Sequence, residues 1–112
     1  PGAISQIVTN LIMNSITHAF DAESEGTIFI SARLEGSEIA FEYRDSGKGI
    51  PKEALPKIFD PFFTTARSRG GTGLGLHIVY NIVTQKLGGK ISVESEPGKG
   101  TAFFITIPTL TR

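Results

Sequence analysis

Near the start of the chain, Asn10, Asn14 and His18 follow one another at i, i+4 and i+8, a spacing that stacks three polar side chains in one row along a helix. The row runs along the edge of an apolar arc made by Ile4, Ile7, Val8, Leu11, Ile12, Ser15 and Ala19 rather than on the far solvent side. Amide and imidazole groups are thereby expected at the rim of a core. An Asn side-chain oxygen is a neutral hard ligand suited to Mg²⁺, which takes few protein oxygens and otherwise keeps water and phosphate. Taken alone, the same residues also read as a pair of helix-surface asparagines.

Asp45 is the second candidate. It closes an alternating run in which Ile39, Phe41 and Tyr43 share one face, and the same parity turns the acid toward the core. A buried acid needs a partner. An ionised carboxylate only accepts hydrogen bonds, so it can select adenine, with its exocyclic amino donor, over guanine, with a carbonyl at that edge. The plainer alternative is a turn-initiating role ahead of Ser46-Gly47. Gly71, Gly73 and Gly75 form the third candidate, just before a predicted helix. Exposed N–H groups and the positive end of a helix dipole suit a polyphosphate there, and a glycine-rich stretch is also simply a flexible loop.

The elements that position these residues follow from periodicity. Residues 3–20 read as a helix. Residues 27–34 and 39–45 read as two strands joined by a tight turn at Glu35-Gly36-Ser37, with Ile28, Ile30, Ala32 and Leu34 alternating in the first. A glycine loop, Ser46 to Pro51, leads to a short helical turn around Lys52–Phe59. Residues 60–73 form a polar, glycine-rich stretch that reads as a mobile loop. A second helix spans about 73–87, with Ile78, Val79, Ile82, Val83 and Leu87 on its apolar face and Gly88-Gly89 ending it. Residues 91–95 and 101–107 make a closing hairpin across Pro97-Gly98-Lys99-Gly100, with Thr101, Phe103, Ile105 and Ile107 on one face. Antiparallel strands with helices on one face predict a two-layer α/β sandwich. His77 falls opposite the second helix's apolar face with Asn81 and Thr84, and reads as solvated.

Several signatures are absent. There is no G-x-x-x-x-G-K-[ST], no G-x-S-x-G and no H-E-x-x-H. Gly71-x-Gly73-x-Gly75 is not G-x-G-x-x-G, because position 76 is Leu, and it follows no predicted strand of a βαβ unit. What remains is four segments in order: Asn10-Leu11-Ile12-Met13-Asn14-Ser15, Asp45-Ser46-Gly47-Lys48-Gly49-Ile50, Ile58 to Thr65, and Gly71-Thr72-Gly73-Leu74-Gly75-Leu76-His77-Ile78-Val79. This series resembles the N, G1, F and G2 boxes of sensor histidine kinases. They belong to an ATPase superfamily that includes gyrase, MutL and a heat-shock chaperone. Gly98-x-Gly100-Thr101-x-Phe103 resembles the family's closing strand, and the resemblance runs from about Gln6 to Pro108.

The resemblance implies a Bergerat-type sandwich binding Mg·ATP, with residues 1–112 as one catalytic domain and a lid at about 60–73. It implies Asn14 as the Mg²⁺ ligand, Asn10 near the phosphates, and Asp45 on the adenine amino group with Thr101 assisting through water. Gly47 and Gly49 would let the backbone pass close to the base while Ile50 packs on its face. Gly71, Thr72, Gly73, Leu74, Gly75 and Leu76 would form hinge and phosphate cradle. Phe59, Phe62 and Phe63 would anchor the lid, with at least one of them plain core. His18 extends the asparagine row toward the phosphates. The phosphorylated histidine is expected on a separate dimerising helical domain of the parent protein, with a response regulator as indirect partner and a cytoplasmic location. Two positions depart from the family pattern. Thr17 stands where a basic residue is common, and Ser15 stands where Ala is more usual, a small change with little expected consequence.

Composition is compatible with this. The chain has 112 residues, 39% of them hydrophobic, 11 basic against 11 acidic residues, and no cysteine. One domain with a single core is expected, disulfides and thiolate metal sites are excluded, and there is no basic excess to attract nucleic acid or an anionic membrane surface. Two rival readings share much of the pattern: a serine kinase of the anti-sigma-factor type, and a degenerate interaction module that has lost ATP. The phenylalanine box and Gly-Thr-Gly-Leu-Gly-Leu favour the histidine kinase over the first, and the intact Asn14, Asp45 and glycines argue against the second.

Overall fold

A computed structural model describes residues 2–16, 26–60 and 75–109. The first helix, α1 (Gly2–Asn14), forms where the apolar spacing predicts it, burying Ile7 and Leu11 on its inner stripe. Its backbone then widens into a π turn at Ser15 and Ile16. The expected continuation to residue 20 lies outside the described residues. Strands β1 (Ile28–Glu35) and β2 (Glu38–Asp45) pair antiparallel, with Ile28 opposite Asp45 and Leu34 opposite Ile39. A short 3₁₀ turn, Leu55–Lys57, occupies the segment expected to be helical around 52–59.

The second helix, α2 (Gly75–Asn81), passes directly into a π-helical turn at Ile82–Lys86. It ends through Leu87 N–H to Ile82 O at 2.9 Å and Gly89 N–H to Val83 O at 2.7 Å. Strands β3 (Lys90–Glu96) and β4 (Gly100–Pro108) form the closing hairpin. The described strands make one antiparallel sheet in the order β1-β2-β4-β3.

Both helices lie on one face of this sheet. Ile7 and Leu11 from α1, and Leu76, Val79, Ile82 and Val83 from the second helix, pack on Tyr43, Phe103, Ile105 and Ile107. Each such buried side chain removes enough apolar surface from water to contribute roughly 1.5–3 kcal/mol. The two-layer α/β sandwich expected from the pattern is therefore the fold observed. The core is centred on β2 and β4, and this explains one difference from the alternation rule. On β1, Ile30 and Leu34 keep the predicted parity yet are 45% and 69% exposed, because they stand beyond the described core cluster.

Candidate functional site

The site is organised by the last inward-facing position of β2. Parity delivers Asp45 to the helix side of the sheet, where only 7% of it stays exposed. Its two oxygens are held separately: Oδ2 accepts the Ser15 hydroxyl at 2.8 Å, and Oδ1 accepts the Gly47 N–H at 3.0 Å. Ser15 is fully buried, 2.7 Å from the Tyr43 hydroxyl, which also donates to the Leu11 carbonyl at 3.1 Å. Burial pushes the Tyr43 phenol pKa up; the Ser15 hydrogen bond opposes this and the Asp45 charge adds to it. The sequence gives Ser15 little consequence, and the structure corrects this. Its hydroxyl stands between an acid and a phenol of β2, and the only sequence signal was its place on the apolar arc.

Thr101 lies directly across from Asp45 in the β2–β4 register and is 6% exposed. Its hydroxyl is 2.9 Å from the Ser95 hydroxyl, which donates to Gly100 O at 2.8 Å and accepts the Ile50 N–H at 2.8 Å. With the Ser95 proton committed to Gly100, the Thr101 proton goes to Ser95 and the free capacity of Thr101 is that of an acceptor. Ser95 is a hub that sequence reasoning missed. It ties the glycine loop to the closing hairpin, which Gly98 N–H to Lys48 O reinforces at 2.8 Å. Gly49 has a φ of +78°, and a Cβ there would fall 2.1 Å from Glu96 O. Its glycine is required by this hairpin contact, whatever else the loop approaches.

On α1, Asn10 and Asn14 stand one turn apart and are both half-buried. Asn10 Nδ2 is enclosed and has no hydrogen-bond partner among the described residues. An orphan donor costs about 1–3 kcal/mol unless an acceptor reaches it, and an anion oxygen suits it. Asn14 neighbours Ser15 in the chain, so the Ser15–Asp45 bond links the asparagine row to the acid. The described residues contain no cluster of three His, Asp or Glu side chains. A divalent ion here would rest on the Asn14 amide oxygen, phosphate and water, a donor set that fits Mg²⁺.

Phe59 packs on the core, with ring centroids 5.3 Å from Tyr80 and 6.3 Å from Phe103. Leu76 is buried at 8% exposure, one residue into α2 behind Gly75. His77 differs from its expected solvated state. It is half-buried, with Nδ1 3.1 Å from Phe59 O and Nε2 3.3 Å from the Asn81 amide nitrogen. Because that nitrogen donates to Nε2, the Nδ1–H tautomer donates to Phe59 and ties the 52–60 segment to α2. His18, Phe62, Phe63, Gly71, Thr72, Gly73, Leu74 and the proposed lid from residue 61 onward lie outside the described residues.

An open cleft of about 710 Å³ wraps the end of the sheet. Asp45, Ser46, Leu55, Ser95 and Thr101 line it, and Phe29, Arg44, Glu94 and Ala102 continue it onto the opposite sheet face. Asn10 and Asn14 are not among its walls. The structure thus gathers Asp45, Ser46, Ser95 and Thr101 in one opening, and does not bring the asparagines into it.

Known proteins resemble this chain in sequence and in fold. Over 97% of its length the chain is 53% identical to the sensor kinase CckA of Brucella abortus. It spans between 11% and 23% of the length of the curated relatives it matches. The catalytic domain of the histidine kinase ThkA superposes with a TM-score of 0.79 at 36% identity, covering 96% of this chain and 68% of that one. Full-length ShkA in complex with AMPPNP gives 0.80 at 29% identity, covering 99% of this chain and 22% of that one. The family of histidine kinase-, DNA gyrase B- and HSP90-like ATPases matches residues 1–111. With its sandwich, its ordered boxes and this match agreeing, the chain belongs to that family of ATP-binding domains.

Proposed function

We propose that this domain binds Mg·ATP and delivers the γ-phosphoryl group to a histidine on a separate helical domain of its parent protein, from which a response regulator receives it. The observation that carries the reading is Asp45: a nearly buried carboxylate, fixed at both oxygens, whose remaining acceptor directions suit the adenine amino group. Thr101, an acceptor across the same strand pair, suits a water bridging to the base. Asn10 would donate to a phosphate oxygen through its orphan Nδ2, and Asn14 would hold the metal, with Gly71, Thr72, Gly73 and Leu74 leading the phosphates to the start of α2.

Phosphoryl transfer rests mainly on positioning and charge neutralisation, and a bound Mg²⁺ supplies the latter. The chain's own residues orient the nucleotide so that its terminal phosphate leaves the site toward an incoming imidazole. The relatives' printed names, sensor kinase and histidine kinase, support this, as does the AMPPNP complex of ShkA. Calorimetric titration with ATP and Mg²⁺, beside GTP and an Asp45→Asn variant, tests it. Binding of ATP but not GTP, lost in the variant, is expected. A folded domain indifferent to ATP would overturn the reading. Transfer is then read by adding the parent protein's helical domain and following labelled phosphate onto it.

A further inference from the structure

Three hydroxyl and carboxylate groups stand in line behind the proposed adenine contact. Tyr43 Oη, Ser15 Oγ and Asp45 Oδ2 are separated by 2.7 and 2.8 Å, at exposures of 3%, 0% and 7%. Proton counting fixes their direction. The carboxylate only accepts, so the Ser15 proton points at Oδ2. Ser15 has no second proton, so the 2.7 Å contact is donated by Tyr43, whose longer 3.1 Å approach to Leu11 O shares the same phenol proton. Burial keeps that phenol in its neutral, donating form by raising its pKa. Each donor in the line is polarised by the next acceptor, and in a water-poor setting such chains strengthen one another.

We infer that Ser15 and Tyr43 are positioning residues for base recognition: their hydroxyls, acting in series, lock the Asp45 carboxylate in the one rotamer that meets a 6-amino purine. This inference rests on the adenine reading of Asp45 given above. The geometry supports a positioning role rather than mere packing. Ser15 pins Oδ2 while the Gly47 N–H pins Oδ1, so rotation about the carboxylate's own torsion would break two bonds at once. With two of roughly four acceptor directions used inside the protein, the remaining directions are fixed. Without the Ser15 hydroxyl, Oδ2 would lose its donor from α1 and the carboxylate would turn to recover a partner.

The test compares ATP with purine riboside triphosphate, which lacks only the 6-amino group, by calorimetry on wild-type, Ser15→Ala and Tyr43→Phe chains, with thermal melts alongside. Alanine is a better helix former than serine and removes one oxygen, so the first variant keeps the fold. Wild-type is expected to prefer ATP. Ser15→Ala is expected to lose about tenfold in ATP affinity, the scale of a hydrogen bond to a charged group, with little change for the analogue, so the preference collapses. Tyr43→Phe keeps the Ser15 donor and should erode the preference by about threefold. A structural role alone would weaken both nucleotides together or lower only the melting temperature, and an unchanged preference in Ser15→Ala would overturn the inference. Failure of the wild-type chain to bind either nucleotide would instead overturn the adenine reading itself.

Discussion

Gly100 and Asp45 meet back to back across the β2–β4 pair. Gly100 has a φ of +88°, and a Cβ there would lie 2.1 Å from the Asp45 carbonyl oxygen and 3.1 Å from its carbonyl carbon. The carboxylate at the head of the site is therefore backed by a position that tolerates only hydrogen, and the contact is to backbone, which cannot swing aside.

Gly100→Ala is accordingly expected to destabilise the domain by about 2 kcal/mol or more, since both the left-handed backbone and the contact oppose a side chain. Urea unfolding measures it. A companion Gly98→Ala change has the same backbone problem, at φ +81°, but nothing within 4 Å of the added carbon. It should cost only the conformational part, about 1 kcal/mol. Equal losses in the two variants would show that the contact with Asp45 is not tight.

How much of this was legible beforehand differs between fold and site. The sandwich was, because α1, β2, the second helix and β4 carry strong periods and a single face each. Asp45 and Thr101 could be placed inward by parity alone. Ser15 could be placed inward by the apolar arc of α1 but not assigned a role, because its partners Tyr43 and Asp45 come from β2, and the period of one element does not say which polar groups of another it meets. Ser95 was invisible for another reason. It reads as an ordinary inward position of β3, and only the fold of the glycine loop against residues 96–100 turns its hydroxyl into a junction. His77 misled in the opposite sense: a helical wheel sees the face of α2, and the partner it finds, Phe59 O, comes from a segment without regular periodicity.

The Tyr43 phenol makes stability depend on alkaline pH. Its pKa in the folded domain lies above the ordinary 10.0, chiefly through burial. Below that ordinary value both folded and unfolded chains carry the neutral phenol, and its contribution is complete. As pH rises past it the unfolded chain loses its proton first and binds fewer protons than the native state, so stability falls until the raised native value is passed. Tyr43→Phe removes this component. Urea midpoints followed from about pH 8 to 11 should decline more steeply in wild-type than in the variant. Tyr80 and the lysines are common to both and cancel in the difference, so parallel declines would contradict the burial of this hydroxyl.

Two large apolar residues on the same face of the sheet should behave oppositely. Phe103 is 1% exposed at the meeting point of Tyr43 and Phe59, whereas Leu34 is 69% exposed at the far end of β1. Phe103→Ala is expected to cost about 3–5 kcal/mol, a large share of the stability of a domain this size. Leu34→Ser should fall within about 0.5 kcal/mol of wild-type in the isolated domain. Denaturant titration of the pair checks both, and a large loss at Leu34 would mean that this end of the sheet is covered in solution.

His77 offers a test of how the segment before the proposed lid is held. Its Nδ1–H donates to Phe59 O, while Asn81 donates to Nε2 and fixes the tautomer. Phe59 also packs on Tyr80 and Phe103, so the ring is anchored by apolar contact and the backbone by the imidazole. Replacing His77 with Ala removes the second hold and leaves the first. The expected global cost is about 1 kcal/mol, that of one hydrogen bond to a half-buried carbonyl. Amide hydrogen exchange should resolve more than the melt does: residues 54–60 should exchange faster in the variant while β2 and β4 stay protected. His77→Asn, whose Nδ2 sits at the same δ position as the imidazole Nδ1 and can donate to Phe59 O, should restore the protection that His77→Ala loses. If exchange in 54–60 is unchanged, the apolar packing of Phe59 alone secures the segment and the imidazole bond is incidental.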